Sequence, residues 1–449
     1  MSTKKIIVIF LLLIFSSNPS FAIKDIRKEN TNINYKYENV NIDWWKSYND
    51  AYLTGYIEKA IKDNNDLQVS TLKVEQARQN IKLRFAKELP NAQIGFSPAL
   101  YKTPFTNSTS SSLSVPIVVN YEADVFLKNR DKTKSMKKLY EAQKIQERAA
   151  YIAISSQIGA TYFNIVGLDR LIALQKQLIE DRKNIYELMK IRNDYGLTST
   201  ADLTKAEKSY VLSVADLSDL EKAREILLRS LAVLIGESPE NINNIKRVSY
   251  DKMVELQTIP NEILSEVIVK RPDYLIAEKM IEKSGLDVKI AQKEFLPTIN
   301  IFGVYSFNSI HGAGGMGWEN ALMALAGSAM LDVFKGGAKI ANLRLKKNLY
   351  EQTVQNYYKT NLIAIKEVND ALCALKFDNN KYEKNLKSYN MQEKDYYYTK
   401  IKYSDGLISQ LDLIQQRENL LTTNKLVISS KIDCYINQIS LYKAVGGNL

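Results

Sequence analysis

The residue types that carry most enzyme chemistry are scarce in this chain. Its 449 residues include one histidine, His311, in a glycine-rich stretch. A paired-histidine zinc site needs a second histidine, and a hydrolase triad needs a histidine held in a site, not one in a solvated loop. We therefore predict no catalytic residues, no metal site and no cofactor, and we expect the protein not to be an enzyme.

Two sequence features bear on nucleotide binding. The run from Gly312 to Gly317 fits the spacing of a dinucleotide fingerprint, but no helix is predicted to open after it, as that motif requires. No Gly-Lys-Ser/Thr phosphate-binding motif occurs. If the protein transports anything, its energy must come from a partner.

Charge and cysteine content narrow the class further. The chain has 61 Lys and Arg against 50 Asp and Glu, spread along predicted helices, which does not favour nucleic-acid binding. Cys373 and Cys434 lie on the two arms of one predicted helical hairpin. Antiparallel arms would bring them to similar heights, which permits a disulfide, but free buried thiols are the expectation.

The N-terminus has the pattern of a secretory signal. Lys4-Lys5 precedes an apolar run, and Ser20-Phe21-Ala22 is a small-residue cleavage site. We predict a signal peptide over 1–22 and one body over 23–449. After cleavage no apolar run is long enough for a transmembrane helix.

The rest of the chain contains an internal sequence repeat. Gly196-Leu197-Thr198-Ser199 returns as Gly406-Leu407-Ile408-Ser409, a shift of 406−196 = 210, and Leu139-Tyr140-Glu141 returns as Leu349-Tyr350-Glu351 at the same shift. So long a period does not indicate a solenoid but two equivalent halves packed side by side. We place repeat one at about 50–240 and repeat two at about 260–449.

Long helices dominate both halves. Proline is absent between Pro116 and Pro239 and after Pro297, and apolar residues recur at helical spacing. The predicted long helices are Lys128–Lys190, Asp202–Ile235, Ala338–Ile401 and Asp412–Val445. The predicted shorter ones are Leu67–Lys87 and Asp273–Glu294. The long helices form hairpins that turn at Gly196 and Gly406, and their length favours coiled-coil packing.

Between the short and long helix of each half the period changes to two. Apolar residues from Leu113 to Val125 alternate with polar ones, and shorter alternating runs cover 92–97, 299–308 and, less regularly, 319–334. This is typical of strands with lipid on one side and water on the other. Four such strands leave open edges, which lipid does not tolerate, so several copies must close the sheet. The fold class is α+β, mainly α.

The chain resembles the TolC-type outer-membrane efflux factors, in particular the OprM/NodT-like branch. The resemblance covers nearly all of the mature chain. Its motifs, each weak alone but specific in order and spacing, are Trp44-Trp45, Leu89-Pro90, Arg271-Pro272-Asp273, Phe295-Leu296-Pro297, Asp332-Val333-Phe334, Gly336-Gly337, Glu367-Val368, Leu411-Asp412 and Leu441–Gly447.

The resemblance implies an assembly and a location. It implies a homotrimer in the outer membrane of a Gram-negative bacterium, with four strands per protomer forming a twelve-stranded β-barrel and the helices forming an α-barrel in the periplasm. It implies a periplasmic adaptor and an inner-membrane pump, of the RND type, as partners. The function would be a passive exit duct for small molecules such as drugs and toxic compounds.

The resemblance also assigns roles to the hairpin tips. Asp412 matches a residue of an acidic ring, and Asp202 and Tyr403 match its partners in a periplasmic gate. Three copies of Asp412 around a narrow axis would attract cations. Both aspartates also suit simple helix capping. The turns resemble the family's adaptor-docking motif, which comprises Gly196, Leu197, Thr198, Gly406, Leu407 and Ile408.

This chain departs from the family pattern in two places. Gln415, Ile408 and Ala201 stand where the TolC pattern has an aspartate, an arginine and a threonine, so the latch is expected to be weaker or built differently. No cysteine follows the predicted cleavage site, although many members of the branch carry an acylated one there.

Two alternatives remain from the sequence. A type I protein-secretion duct would share the same architecture and tips. A non-channel periplasmic coiled-coil scaffold would account for the helices but not for four membrane-type strands placed between them.

Overall fold

The computed structural model describes residues 40–103, 108–254, 265–310 and 321–447. The predicted signal peptide, His311 and the glycine run from Gly312 to Gly317 lie outside these ranges. In the described ranges the chain is mainly helical, with one small antiparallel sheet. No helix there is both long enough and apolar enough to cross a membrane.

Eight α-helices lie in the described ranges. They are α1 Ile42–Lys46, α2 Ala51–Asp63, α3 Asn65–Ala86, α4 Lys128–Asp194, α5 Thr200–Leu234, α6 Pro272–Lys293, α7 Ala338–Ser404 and α8 Gln410–Ala444. Short 3-10 turns occupy Ile242–Asn244, Tyr250–Lys252 and Ser265–Lys270. The six helices predicted from proline usage and periodicity are all present. Helices α1 and α2 were not predicted.

The long helices come in matched pairs. Helices α4 and α7 have 67 residues each, about 100 Å at 1.5 Å per residue, and α5 and α8 have 35 each. Helix α7 starts 338−128 = 210 residues after α4, and α8 ends 444−234 = 210 residues after α5. Near the sheet, α4 packs against α3 and α6, and α7 packs against α6. Toward the tips, α4 packs against α5 and α8, and α7 packs against α8.

Five strand segments form the sheet. They are β1 Asn91–Ile94, β2 Ser97–Thr103, β3 Ser108–Ala123, β4 Thr298–Ile310 and β5 Ala321–Met330, with β1 and β2 both paired to β3, followed by β4 and β5. Asn91 pairs with Asn120 and Ser97 with Ser114, so six positions separate the pairs on both strands and no residue is inserted. The expected first strand is therefore one strand with an interruption.

The interruption lies opposite a proline. Gly95 N–H donates to the Pro116 carbonyl at 2.8 Å, but Pro116 has no N–H to return the bond. The ladder loses one bond at this point and keeps its register. Sequence periodicity alone does not predict this break, because it depends on which residue faces the proline.

One face of the sheet is apolar across its width. Ile94 pairs with Ile117, Ile117 with Tyr305, and Tyr305 with Met323, and residues paired across strands lie on the same face. On this chain Ile94 is 74% exposed and Met323 76%. The opposite face carries polar rows, such as Glu122, Asn300 and Ser328. The expected two-sided pattern is therefore present, and the apolar side is uncovered.

The largest hydrophobic core lies where the N-terminal helices pack on the middle of α4 and the end of α8. Its fully buried aromatic members are Trp45, Tyr162, Tyr435 and Tyr442. Trp45 lies so close to Gly159 that a β-carbon there would be 2.5 Å from its ring. The glycine in the middle of α4 is thus required by the tryptophan of α1.

The two cysteines are free. Cys434 is buried, and burial raises its thiol pKa to about 11. Cys373 is exposed on this chain, so the expectation that both thiols are buried is wrong for Cys373. It lies on a side of α7 that no other described element covers.

We predict that Gly159→Ala destabilises the protein by about 1–3 kcal/mol, because the added methyl overpacks the Trp45 ring. The matched control is Gly55→Ala in α2, where a β-carbon meets nothing within 4 Å. That change should stabilise by about 0.5–1 kcal/mol, the usual helix-interior gain. Thermal unfolding of both variants in detergent tests this, and equal shifts would contradict it.

Candidate functional site

The two hairpin tips are built alike. Gly196 and Gly406 each follow a long helix and each have φ of +71°, a conformation that favours glycine. A β-carbon on either would meet nothing within 4 Å, so backbone conformation and not crowding requires glycine.

Backbone bonds close both turns in the same way. Leu197 N–H donates to the Arg192 carbonyl at 2.7 Å, and Leu407 N–H donates to the Lys402 carbonyl at 2.9 Å. Gly196 and Gly406 donate to the carbonyls of Asn193 and Tyr403. This is the Schellman arrangement, which satisfies the last carbonyls of α4 and α7.

Serines, not aspartates, are the N-caps of the returning helices. Ser199 accepts from Asp202 N–H at 3.1 Å, and Ser409 accepts from Asp412 N–H at 3.2 Å. Asp412 returns the interaction by accepting from Ser409 N–H at 3.1 Å, which completes a capping box. The interpretation of the two aspartates as N-caps is therefore wrong. Both lie at the third helical position, where Asp412 completes the capping box and Asp202 accepts from the Ser199 hydroxyl at 2.7 Å.

These bonds also set the charge of Asp412. The Ser409 hydroxyl and backbone N–H both donate to its carboxylate, and they hold its pKa below the usual range. The side chain is exposed. Asp412 is therefore an anion at neutral pH, pre-positioned at the tip.

The tips present apolar side chains to solvent. Leu197 is 69% exposed and Leu407 is 72% exposed, while Thr198 and Ile408 are half-buried. Asn193 Nδ2 donates to the Thr198 carbonyl at 3.0 Å and fixes the first turn from within. The six residues predicted for docking therefore form two similar, rigid turns with a leucine at each apex.

One chain does not bring the three predicted gate residues together. Tyr403 lies in the last turn of α7 and is 40% exposed, whereas Asp202 lies in the first turn of α5 on the other hairpin. Within the described ranges, neither Asp202 nor Asp412 hydrogen-bonds to Tyr403. Their roles in a gate stay predictions.

A polar cluster that joins the two hairpins was not predicted. Arg182 of α4 donates from Nε to Glu418 Oε1 of α8 at 2.6 Å and from Nη1 to the Ser209 carbonyl of α5 at 3.3 Å. Beside it, Asp181 of α4 pairs with Arg417 of α8 at 3.2 Å. These pairs link α4 to α8, the contact that holds one hairpin against the other.

Asp181 is an unusual member of this cluster. Its side chain is 2% exposed, and its Oδ2 has no hydrogen-bond partner in the described part of the chain. Burial raises its pKa to about 6, although Arg417 opposes the shift. The sequence indicates the burial of Asp181. It follows Leu174 and Leu178 at helical spacing, so a charged residue continues the apolar stripe of the helix.

No cluster in the described ranges offers a metal ion three or more His, Cys, Asp or Glu side chains. The features of the described structure that could carry a function are surfaces and charges. They are two rigid tips with apolar apices, an exposed anion at one tip, and an open sheet with an apolar face at the far end of the long helices.

This fold is that of an outer-membrane channel. The chain superposes on the crystal structure of the Campylobacter jejuni CmeC outer membrane channel with a TM-score of 0.84 and 24% identity, covering 91% of this chain and 89% of that one. The sequence is 24% identical over 424 residues to the toluene efflux pump outer membrane protein TtgC of Pseudomonas putida, covering 90% of this chain and 84% of TtgC. It is 22% identical over 413 residues to the cation efflux system protein CusC of Escherichia coli, covering 91% and 89%.

The chain belongs to the outer membrane efflux protein family, whose model matches residues 56–237 and 263–447. The resemblance inferred from the sequence motifs is thereby confirmed. The protein is an outer-membrane efflux component. The two matched ranges each contain one of the two helical hairpins.

We predict that the Asp181 cluster makes hairpin stability depend on pH. A carboxyl group with a folded pKa of about 6 and an ordinary value of 3.8 binds its proton more tightly when folded. Its stabilising effect is thus full below about pH 4 and is lost as the pH rises through 6. Wild type should gain about 2–3 kcal/mol of local stability at low pH relative to Asp181→Asn.

Hydrogen exchange of the α4 and α8 amides at pH 4 and pH 8 measures this difference. Asp219→Asn is the control, because the Asp219 side chain is 81% exposed. The same pH response in wild type and Asp181→Asn would show that Asp181 does not titrate as inferred.

Proposed function

We propose that three copies of this chain form a passive exit duct across the outer membrane. The observation that carries this proposal is the open sheet: among the described residues, β1 with β2 at one side and β5 at the other have free edges, next to an apolar, uncovered face. In lipid, backbone groups at a free edge must be paired, and identical copies can pair them by closing a barrel. Three copies of four strands make the twelve-stranded barrel that the resemblance implies.

The helices continue the same wall toward the periplasm. Next to the sheet, the helices contact one another in the order α3, α4, α6, α7. Toward the tips the order is α5, α4, α8, α7. Along the wall, α5 therefore continues the line of α3, and α8 continues the line of α6. Each such line of helix is one column. Four columns therefore match four strands, as expected if barrel and helical wall enclose one channel.

The tips supply the gate and the docking surface. Asp412 from three copies would form an anionic ring, with Asp202 and Tyr403 forming bonds between hairpins or between copies. The exposed Leu197 and Leu407 would contact a periplasmic adaptor, which in turn couples the duct to an inner-membrane pump of the RND type. The relatives' names differ in cargo, toluene for one and cations for another, and we assign cargo selection to the pump.

Single-channel recording in planar bilayers, with mass measurement of the same detergent sample, tests the duct. We expect a trimer with small, cation-selective steps. Asp412→Asn should lower cation selectivity, because it removes the charge but keeps an oxygen acceptor for the capping box. Asp412→Ala should do the same and loosen the tip.

The control is Asp370→Asn on α7, which removes the same charge 406−370 = 36 residues before the tip glycine. A water-soluble, non-conducting wild type would overturn the duct and favour a scaffold. Unchanged selectivity in the Asp412 variants would refute the ring alone.

Docking is tested at the glycines. Gly196→Glu or Gly406→Glu adds bulk and charge where space is open, so we expect intact trimers and loss of drug resistance in cells that carry the whole system. Gly406→Asn is the matched control, since asparagine tolerates positive φ better than other side chains. Full resistance in the Glu variants would argue against docking at these turns.

A further inference from the structure

The positive charge of the chain is concentrated next to the strands. Four segments adjoin strand ends, at 78–88, 124–141, 279–294 and 332–351, and we call them the basic collar. Together they contain 19 Lys and Arg against 9 Asp and Glu, a net +10 in a chain of net +11. Since all four helices nearest the sheet contribute, the collar follows the edge of the proposed membrane barrel.

The collar contains a groove of about 600 Å³ between α4, α6 and α7. Its charged lining is Lys134, Lys137, Lys138 and Lys289 with Glu141 and Glu282. Ile281 and Leu286 give it apolar surface, and Tyr350 adds an aromatic ring from α7. A basic groove with apolar walls suits an amphipathic ligand better than a free ion.

The two glutamates of the groove are already neutralised. Lys138 pairs with Glu282 at 2.7 Å and with Glu141 at 3.1 Å, and Lys279 pairs with Glu282 at 2.7 Å. These lysines hold the pKa of Glu282 below its usual range, so it stays ionised and paired. The carboxylates therefore leave the remaining lysines without compensation.

The charges of the remaining groove lysines are not neutralised by carboxylates of the described residues. Within the described ranges, Lys137 and Lys289 have no carboxylate within 4.0 Å. Lys134 reaches Asp131 only at 3.5 Å, while Lys293 already holds that carboxylate at 2.6 Å. The groove thus offers three ammonium groups to an external anion.

The groove opens to the outside of the proposed duct. Lys134, Glu141, Arg148 and Tyr162 recur at multiples of seven residues and so share one face of α4. Further along that face, Tyr162 donates to Asp50, at the start of α2. The N-terminal helices would obstruct a lumen, so the face that they cover is the outer one.

The height of the groove matches a lipid headgroup. Lys134 lies 134−128 = 6 residues into α4, about 9 Å below its start at 1.5 Å per residue. The headgroup layer extends about 5–7 Å beyond the hydrocarbon, and lysine side chains reach upward along apolar surface.

We propose that this groove binds the phosphate headgroup of an anionic phospholipid in the periplasmic leaflet of the outer membrane. The inference rests on the proposed barrel, which places the groove at that leaflet. Lys134, Lys137 and Lys289 contact the phosphate, and the apolar wall and Tyr350 pack against the glycerol part of the headgroup. Bound lipid would fix the height of the channel in the membrane.

Native mass spectrometry of the detergent-purified trimer tests the site, with phosphatidylglycerol and phosphatidylcholine as the probes. We expect wild type to retain phosphatidylglycerol preferentially. Lys137→Gln with Lys289→Gln should reduce that retention by about fivefold for each lysine removed. The control is Lys384→Gln with Lys387→Gln, which removes two exposed lysines from α7 far from the collar and should retain lipid as wild type does.

Several results would overturn the proposal. They are equal retention of both lipids, wild-type retention by the Lys137 and Lys289 variant, or an equal loss in the control. Displacement of phosphatidylglycerol by millimolar inorganic phosphate would identify a free-anion site instead. Conductance in neutral-lipid bilayers, which should be unchanged in both variants, separates the two hypotheses. A wild type that conducts normally but shows no lipid preference overturns only the lipid site, whereas a non-conducting wild type overturns the proposed duct.

Discussion

The free edges of the sheet are the constraint on which the rest of this structure depends. In the described part of the chain, β1 with β2 on one side of the sheet and β5 on the other have no neighbouring strand, and the apolar side chains of one face are uncovered. Neither water nor lipid accommodates this arrangement in a single chain. Pairing between copies in a membrane resolves both the free edges and the uncovered apolar face. It also requires the helical columns of each copy, below the membrane, to match the strands in number.

Burial differs sharply between the two long helices and indicates where other copies would pack. Helices α4 and α7 have equal length, yet α4 has 23 buried residues and α7 has four, Ala364, Val368, Ala371 and Leu375. Helix α4 has neighbours on both sides, whereas α7 is at the margin of the chain. Exposed apolar residues along α7, such as Leu345, Leu362 and Phe377, then find partners in the proposed trimer. Cys373 lies on this same uncovered helix.

The sequence predicts the regular elements well and the exceptions poorly. Helix bounds followed from proline absence, glycine at Gly196 and Gly406 and helical periodicity, because these signals are local. The break opposite Pro116 depends on cross-strand register, and the placement of Ser199 and Ser409 as N-caps depends on local turn geometry. Helices α1 and α2 are short, and their stability comes from packing Trp45 onto Gly159, which no local pattern encodes. Gate contacts between Asp202, Asp412 and Tyr403 depend on how hairpins or copies approach one another, so a single chain leaves them as predictions.

The Asp181 cluster shows how a rigid wall could still move. Most of the contact between α4 and α8 is apolar, with Leu178, Leu421 and Ile428 in one small core. Such packing holds the hairpins together regardless of charge. Asp181 adds a buried carboxylate with one unpaired oxygen, which weakens the contact whenever it is ionised. The proposed duct, which would stay closed until an adaptor docks, needs hairpins whose contact is stable but not too strong. An ionised Asp181 meets that need, because it lowers the free-energy cost of separating α4 from α8. The Arg182–Glu418 bond beside it remains and restores the register of the two helices.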